Sequence, residues 1–292
     1  TLFRSQQLIN GLALGSVYAL LALGYTMVYG IIQLINFAHG EIYMIGAFAG
    51  FYCATTLNLP LVPTLLAAMA ASALAGIIIE KVAYKPLRNS PRITLLITAI
   101  GVSLLLQNSM RVLVGANPKP FPDLIKAGYL EIGALHIEWK TLLMFAVSAI
   151  LVLLLQFIVF KTKVGKAMRA ASFDIEAASL MGINVNNTIS LTFAIGSALA
   201  GIAGVLVAIS YPSITPYMGV MPGLKAFVAA VLGGIGSIPG ALLGGLSIGL
   251  LETLSKAYIS TTFSDAIVFG ILIVILLIKP SGLLGKVTRE KV

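Results

Sequence analysis

Long apolar stretches alternate with short polar breaks along most of the chain. A bilayer core about 30 Å thick needs roughly 20 apolar residues in a spanning helix, and we interpret about eight stretches as spans. These are residues 11–32, 42–57, 61–79, 93–114, 141–160, 188–210, 241–258 and 266–278. A further apolar stretch, 223–234, is too short to span and predicts a half-helix or re-entrant element. The pattern therefore predicts an all-α, polytopic membrane protein whose residues 1–292 form a single transmembrane domain.

Composition supports a membrane location. Only 10% of the 292 residues are charged and the mean hydropathy is +1.02, whereas a soluble domain carries about 25% charged residues. A soluble fold of this composition would have to hide too many uncharged faces from water. The one cysteine, Cys53, cannot form an internal disulfide, and the sequence shows no metal-ligand spacing. We therefore expect neither a metal ion nor a cofactor.

The distribution of basic residues predicts the orientation of the spans. Twelve of the nineteen Lys and Arg residues lie in three segments, 81–92, 161–169 and 279–291. Because cytoplasmic loops are enriched in Lys and Arg, we place these segments in the cytoplasm and the charge-balanced loop 115–140 outside. Counting spans back from residue 81 puts the N-terminus outside. The net charge of +9 is then a signal of topology, and it does not indicate a nucleic-acid partner.

The cytoplasmic segment 161–187 is the longest moderately polar stretch, and its alanine-rich composition predicts a helix. A short helix there would present Glu176 beside the small side chains of Ala177 and Ala178, and Gly182 would end it as a C-cap. Small side chains allow a partner helix or cleft to approach closely. The pattern favours a docking surface for a cytoplasmic partner, although an ordinary surface helix would carry the same residues.

The first polar break reads QLINFAHGE, residues 33–41, and separates two predicted spans. Polar and ionisable groups at membrane depth are costly and usually face protein or water, so this break is a candidate functional site. Its candidate residues are Asn36, Phe37, His39, Gly40 and Glu41. The alternative is a turn at the cytoplasmic rim, in which Asn36 caps a helix and Glu41 is solvated.

A second break reads GGIGSIPGALLGG, residues 233–245. Its glycines and proline predict irregular backbone, which a membrane tolerates only where that backbone is buried in protein or lines a cavity. The candidate residues are Gly233, Gly234, Gly236, Pro239 and Gly240. The alternative is plain helix packing through glycines at four-residue spacing.

The two breaks belong to a weak internal similarity. Residues 11–92 and 223–291 both show an apolar segment, a polar or glycine-rich break, two spans joined by a short turn, and a basic exit with a Lys-Pro pair. Tandem repeats with broken helices are common in transporters. We therefore predict that the two breaks face each other near the centre of the protein, where a gate or substrate path would lie.

Three segments resemble the permeases of ABC importers for branched-chain amino acids, specifically the subunit that is written first of the two. They are YALLALGYTMVYGIIQLINFAHGEIYMIGAF (Tyr18 to Phe48), KAFVAAVLGGIGSIPGALLGG (Lys225 to Gly245) and RAASFDIEAASLMGIN (Arg169 to Asn184). The third is similar to the EAA loop of such permeases, which docks in a groove of the ATPase subunit. The general EAA pattern continues to a Leu-Pro pair, which this chain lacks.

The resemblance implies a multi-pass subunit in the bacterial inner membrane, in contact with lipid. It implies a heterodimer with a second, related permease, two cytoplasmic ATPases and a periplasmic or extracellular amino-acid-binding protein. ATP hydrolysis would reside on the ATPases, and the sequence contains no GxxxxGK[ST] loop. The binding protein would hold the substrate's carboxylate and ammonium groups, so that the permease needs only a weak, transient path.

Three alternatives stay open. Permeases for urea and short amides share much of the pattern, so the family is better determined than the substrate. A secondary transporter or channel working alone would have His39, Glu41 and Glu252 as its intramembrane ionisable groups. An intramembrane enzyme would use His39 and Glu41. Purification of the tagged chain together with ATPase-sized partners would distinguish the importer from the last two.

Overall fold

The computed structural model describes residues 2–33, 35–88, 90–126, 128–132, 135–279 and 281–285. Within these ranges the chain is nearly all helical. The helices are α1 (Leu2–Ile32), α2 (His39–Thr55), α3 (Leu61–Ile79), α4 (Arg92–Val114), α5 (Trp139–Lys161), α6 (Lys163–Phe173), α7 (Ile175–Leu180), α8 (Val185–Ser210), α9 (Val220–Gly233), α10 (Ile238–Tyr258) and α11 (Ser264–Ile278). Helix α3 continues into a π-helical turn (Glu80–Tyr84) and a 3₁₀ turn (Lys85–Leu87).

The helices divide into a central and an outer group. Helix α1 packs against α8, α9 and α10, and α2 packs against α3 and α8. In the most apolar stretch of each helix, 89% of the residues of α1 and 78% of the residues of α8 are buried, whereas only 11% of the residues of α4 are buried. The outer helices α3, α4, α5 and α11 expose large apolar side chains, as expected where lipid or another subunit covers them.

Glycines allow the central helices α1 and α10 to approach closely. A Cβ atom at Gly15 would lie 2.8 Å from Cα of Leu246, and one at Gly245 or Gly249 would collide with the backbone of α1. Small residues that let backbones meet are a principal means of helix association in lipid. Two glycines at four-residue spacing, Gly245 and Gly249, thus serve helix packing.

Six helices in the described ranges are long and apolar enough to cross a membrane, namely α1, α3, α4, α5, α8 and α10. Each matches one of the predicted spans. The other two predicted spans correspond to α2 and α11, which have 17 and 15 residues. At 1.5 Å per residue these helices are about 26 and 23 Å long, shorter than a bilayer core of about 30 Å. The predicted half-helix corresponds to α9.

The loop between α4 and α5 contains a small antiparallel hairpin, which departs from the all-helical prediction. Its strands are β1 (Tyr129–Ile132) and β2 (Leu135–Glu138). A bridge between Lys119 and Ile214 joins the same loop to the segment that follows α8. Each strand has four residues, too few for alternation of apolar and polar positions to distinguish a strand from a loop.

Segment 161–187 folds as two helices, α6 and α7, where the sequence predicted one. The chain turns at Asp174, whose carboxylate accepts a hydrogen bond from the N–H of Ala177 at 2.9 Å and caps α7. Gly182 follows α7 with a φ of +81°, and its N–H donates to the carbonyl oxygen of Ser179 at 3.0 Å. The prediction that Gly182 ends this helix is confirmed.

Candidate functional site

The first break folds back into the helical core. Helix α1 ends at Ile32 and α2 begins at His39, which is 1% exposed and lies beside Gly24 of α1. Because Gly24 stands eight residues before Ile32, the chain returns about 12 Å along α1 before α2 starts. The ring of Tyr25 packs edge-on to His39 with centroids 4.7 Å apart. His39 is therefore buried among the helices and is not in solvent.

Asn36 organises the backbone of this break. Its Oδ1 accepts hydrogen bonds from the N–H of Ala38 at 3.1 Å and from the hydroxyl of Tyr84 at 2.7 Å. The first bond forms an Asx turn, in which the side chain takes the place of a backbone acceptor. The second bond ties the break to the π-helical turn after α3. The irregular segment is therefore held in place by protein, as irregular backbone at membrane depth requires.

The start of α2 meets the start of α9. A Cβ atom at Gly40 would collide with the carbonyl oxygen of Gly219 and would lie 3.1 Å from Cα of Gly223. Phe37 packs against Phe227 of α9 with ring centroids 5.8 Å apart. No side chain from the described ranges caps the N-terminus of either helix. The N-termini of the two helices, each with its partial positive charge, therefore lie beside each other in the core.

Glu41 lies in the first turn of α2 and is 1% exposed. Its Oε1 accepts hydrogen bonds from Gln107 Nε2 at 2.6 Å and from Ser103 Oγ at 3.1 Å, both on α4. Its Oε2 has no hydrogen-bond partner within the residues that the structure describes. A buried carboxylate oxygen without a partner is costly, most of all at membrane depth. Such an atom calls for a functional explanation.

A cavity of about 580 Å³, its open mouth included, lies between α2, α4 and α9. One part of its wall is polar and consists of Glu41, Ser103 and Gln107. Another part is apolar and includes Ile100, Leu104 and Leu224. Ile100 and Leu104 are 44% and 53% exposed, so the mouth lies on the α4 side. A concave site that is mostly apolar and has a few convergent polar groups is the usual form of a small-molecule site.

The second break is a close-packed turn between α9 and α10. Gly233 and Gly240 approach so closely that a Cβ atom at either would collide with the carbonyl group of the other. Gly234 and Gly236 have φ values of +101° and +90°, which glycine adopts without strain. Pro239 stands in the first turn of α10, where its missing N–H costs nothing. Close packing accounts for Gly233 and Gly240, whereas Gly236 has no atom of the described residues within 4 Å of its Cβ position and lines a separate cavity with Thr26, Gly30 and Arg169.

The two breaks have different neighbours. The first meets Gly219 and Gly223 at the start of α9, whereas the second contacts the chain after α11, where the N–H of Leu284 donates to the carbonyl oxygen of Gly233 at 3.0 Å. Ile35 and Ile235 line a small cavity that the two breaks share. The large cavity is lined by residues of the first break and by none of the candidates of the second.

A second buried polar cluster joins α1, α9, α10 and α11. Glu252 is 2% exposed, and its Oε1 lies 2.8 Å from Lys225 Nζ and 2.6 Å from Lys256 Nζ. Its Oε2 accepts a hydrogen bond from the Tyr18 hydroxyl at 2.7 Å. Lys225 also pairs with Asp265 at 2.7 Å. Both oxygens of Glu252 therefore have charged or polar partners, so this carboxylate acts as a connector between helices.

The segment around α7 presents apolar side chains to its surroundings. Three of them are more than four-fifths exposed: Phe173, Leu180 and Met181. Glu176, Ala177 and Gly182 are also exposed, whereas Ala178 packs inward and is 4% exposed. Contiguous exposed apolar side chains mark interaction surfaces. The predicted docking residues thus lie within an exposed apolar surface, with Ala178 beneath it.

The sequence model of one family, described as the permease component of branched-chain amino acid transport systems, matches residues 7–277. The chain belongs to this family. The permease is 45% identical, over its whole length and 98% of the relative, to the high-affinity branched-chain amino acid transport system permease protein LivH of Escherichia coli (strain K12). It is 45% identical to the corresponding protein BraD of Pseudomonas aeruginosa, over 98% of this chain and 97% of that one. The resemblance inferred from the three segments is confirmed.

Solved structures share the fold of this permease. One is PsaBC from Streptococcus pneumoniae in complex with Fab, with a TM-score of 0.51, 18% identity and coverage of 96% of this chain and 93% of that one. Another is an inward-facing putative metal-chelate type ABC transporter, with a TM-score of 0.50, 18% identity and coverage of 94% and 87%. At this identity the likeness shows the fold and carries nothing about substrate. Among the described residues, no group of three His, Cys, Asp or Glu side chains could hold a metal ion.

Several residues of the permease's cavity and ion cluster were missed from the sequence. Ser103 and Gln107 carry a visible signal, because they are polar, four residues apart, and lie on one face of an apolar span. Lys225 carries another, since a lysine in an apolar half-helix has to find an acidic partner. Gly219 and Gly223 show no sequence signal that distinguishes them from the many other glycines.

Proposed function

We propose that this permease is the translocation subunit of an ABC importer that moves branched-chain amino acids across a bacterial inner membrane. The observation that carries the proposal is the full-length 45% identity with LivH and BraD, whose names state this transport. The cavity beside Glu41, with a polar and an apolar wall, is consistent with a small apolar solute that carries charged groups. The chain itself performs no covalent chemistry, and its partners hydrolyse ATP.

Eight crossings, with α9 as a half-helix, are part of the proposal. Helices α2 and α11 supplement the six long spans, and a short helix spans where the bilayer thins or flanking residues extend it. Placing segments 81–92, 161–187 and 279–291 in the cytoplasm follows the enrichment of Lys and Arg there. The contact between the end of α9 and residues 283–285 supports a common side for both. The order helix, break, helix, turn, helix recurs in α1–α3 and α9–α11, which supports one domain with an internal repeat.

The surface divides among four partners in this proposal. The second permease covers the exposed face of α4, next to the mouth of the cavity, and lipid covers the remaining outer helices. One of the two ATPases docks at the α6–α7 surface, where Phe173, Leu180 and Met181 supply apolar contacts and Glu176 supplies a charge. A periplasmic or extracellular binding protein contacts the opposite side, which carries the β1–β2 hairpin.

Reconstitution tests the function as a whole. Liposomes containing this permease, its partner permease and both ATPases, with the binding protein outside and ATP inside, should take up labelled leucine, isoleucine and valine. The permease alone should take up none of them, with or without an ion gradient. Uptake by the permease alone would establish a secondary transporter instead. Uptake of urea or acetamide in place of leucine would assign the chain to the amide branch.

Two substitutions test the docking surface. Glu176→Lys reverses a charge, and Gly182→Asp places a side chain at a residue of positive φ in the surface. Both variants should therefore lower ATPase binding and leucine uptake about tenfold. A tenfold change in binding corresponds to about 1.4 kcal/mol. Glu131→Lys, in the β1–β2 hairpin, is a matched charge reversal on an exposed glutamate and should leave ATPase binding unchanged. Wild-type uptake by both docking variants would show that α7 is an ordinary surface helix.

A further inference from the structure

The unpartnered oxygen of Glu41 is the feature from which this inference starts. Glu41 is 99% buried, being 1% exposed, and it lines the α2–α4–α9 cavity. Gln107 and Ser103 donate to Oε1 alone, which fixes the carboxylate and leaves Oε2 without a partner among the described residues. The oxygens of Glu80 and Glu252 contact cations and hydroxyl groups of the chain itself. Glu41 differs, because its second oxygen is held in place as an acceptor for a hydrogen-bond donor from outside this chain.

The remaining walls of the cavity restrict what that group can be. Ile100, Leu104 and Leu224 form an apolar surface, and the uncapped N-termini of α2 and α9 converge at Gly40 and Gly219. A helix N-terminus favours a carboxylate, and half-helix N-termini at membrane depth bind the anionic groups of transported solutes. One cavity thus offers a carboxylate for a cation, two helix N-termini for an anion, and an apolar wall.

We propose that this cavity binds the zwitterionic head group of an aliphatic amino acid, with Glu41 Oε2 accepting a hydrogen bond from the substrate ammonium group. The substrate carboxylate lies toward the N-termini of α2 and α9, and the aliphatic side chain lies against Ile100, Leu104 and Leu224. Ser103 and Gln107 are positioning residues that orient Glu41. The inference rests on the proposed function and adds a site within the membrane to the recognition that the binding protein performs.

The chemistry distinguishes an ammonium group from the other cations and from neutral solutes. Among the described residues that line the cavity, Glu41 is the one acidic side chain, whereas a divalent metal cation is usually held by several oxygen ligands that include more than one carboxylate. Urea and short amides can donate an N–H to Glu41 Oε2 but carry no positive charge, so they leave the charge of the buried carboxylate uncompensated and form the weaker hydrogen bond. The site therefore selects amino acids against amides of similar size.

The first experiment measures transport by the complete reconstituted importer. Glu41→Gln keeps the size of the side chain and an oxygen for Gln107, but it removes the negative charge. We expect leucine uptake to fall at least tenfold, while ATP hydrolysis stimulated by the binding protein stays within about twofold of wild type, because the docking surfaces are distant. Ser103→Ala keeps the charge and loses one orienting bond, so its uptake should fall less than threefold. Wild-type uptake by Glu41→Gln overturns the proposal.

A second experiment decides the matter if Glu41→Gln does not assemble. In the Cys53→Ser background, Ser103→Cys places a thiol in the cavity that a small cationic methanethiosulfonate reagent can label. In the complete importer, leucine should slow this labelling at least fivefold, whereas isocaproate, which lacks the ammonium group, and urea should not. Equal protection by all three solutes, or none by leucine, contradicts the proposal.

The outcomes separate this inference from the proposed function. If the wild-type importer takes up leucine and Glu41→Gln does so equally well, the importer assignment stands and the site is wrong. If the wild-type importer takes up urea and not leucine, the function itself is wrong, whatever the variant does.

Discussion

Two buried carboxylates, Glu41 and Glu252, differ in how completely the chain satisfies them. Glu252 binds Lys225, Lys256 and Tyr18 through both oxygens, whereas Glu41 uses one oxygen and leaves the other without a partner among the described residues, beside a cavity. Both lie within helices that are otherwise apolar, so burial alone does not distinguish them. The difference teaches how to distinguish two kinds of buried acidic residue in a membrane protein. One whose partners belong to the same chain connects helices, and one that lacks such partners is a candidate for binding a ligand.

The largest expected effect comes from removing the central cation of the satisfied cluster. Lys225→Met leaves Glu252 and Asp265 without their shared partner, and breaking a buried pair in this way costs about 3–5 kcal/mol. The purified permease should unfold at a clearly lower temperature, and its yield from membranes should fall. Adding Glu252→Gln should recover part of the loss, because without Lys225 the Glu252 carboxylate keeps Lys256 alone as its cationic partner among the described residues, and this partly exposed lysine compensates the buried charge poorly. An unchanged unfolding temperature for Lys225→Met would mean that the cluster does not join the helices.

A smaller loss is expected where α2 meets α9 beside Glu41. Gly40→Ala places a methyl group against the backbone of Gly219 and Gly223, and overpacking of this kind costs about 1–3 kcal/mol. Separating the two helix N-termini should also lower leucine uptake. Gly101→Ala in α4 is the matched control, since a Cβ there has no neighbouring atom within 4 Å. If both variants behave alike in thermal unfolding, the close approach does not hold the cavity together.

Glu41→Gln itself should have little effect on stability. The amide oxygen still accepts from Gln107, and a buried charge is removed, so the free energy of unfolding should stay within about 1 kcal/mol or rise. A protein that becomes more stable while transport declines shows the trade-off expected of a functional group. Thermal unfolding of the purified permease measures this, and a loss as large as that of Lys225→Met would make Glu41 a connector too.

The smallest effect should come from the outer member of the satisfied cluster. The side chain of Lys256 is 45% exposed and pairs with Glu252 one helical turn away, and such pairs contribute about 0.3–0.5 kcal/mol. Lys256→Met should therefore shift the unfolding temperature far less than Lys225→Met, although both lysines contact the same oxygen. Equal shifts would mean that burial does not set the strength of these pairs.

The sequence predicted the helices well and the arrangement of the polar groups only in part. Apolar length was enough to locate all eight predicted spans as helices and to distinguish α9 as a short one, because the bilayer imposes a length on a spanning helix. Segment 33–41 was identified as a candidate because ionisable groups are rare at membrane depth. These signals depend only on residues that are close together in the sequence, so they can be recognised without knowledge of the fold.

Contacts between distant segments could not be predicted in the same way. The expectation paired the first break with the second by pattern, whereas the structure pairs Gly40 with Gly219 and Gly223. Glycines allow close approach wherever they occur, so the sequence does not say which of the 29 glycines meet. The sequence analysis did not predict that the helix is divided into α6 and α7 at Asp174. Asp174 caps the second helix and interrupts a run of residues that otherwise favour one continuous helix.

The junction of α2 and α9 also has a consequence for biosynthesis. Gly219 is made 179 residues after Gly40, an interval of roughly 10–40 s at 5–20 residues per second. Until then, the start of α2 is in the membrane without α9, and Gly40 lacks the backbone of Gly219 and Gly223 against which it packs. The centre of the molecule is therefore among the last parts to be completed, and a chain that stops before residue 219 lacks one wall of the cavity beside Glu41.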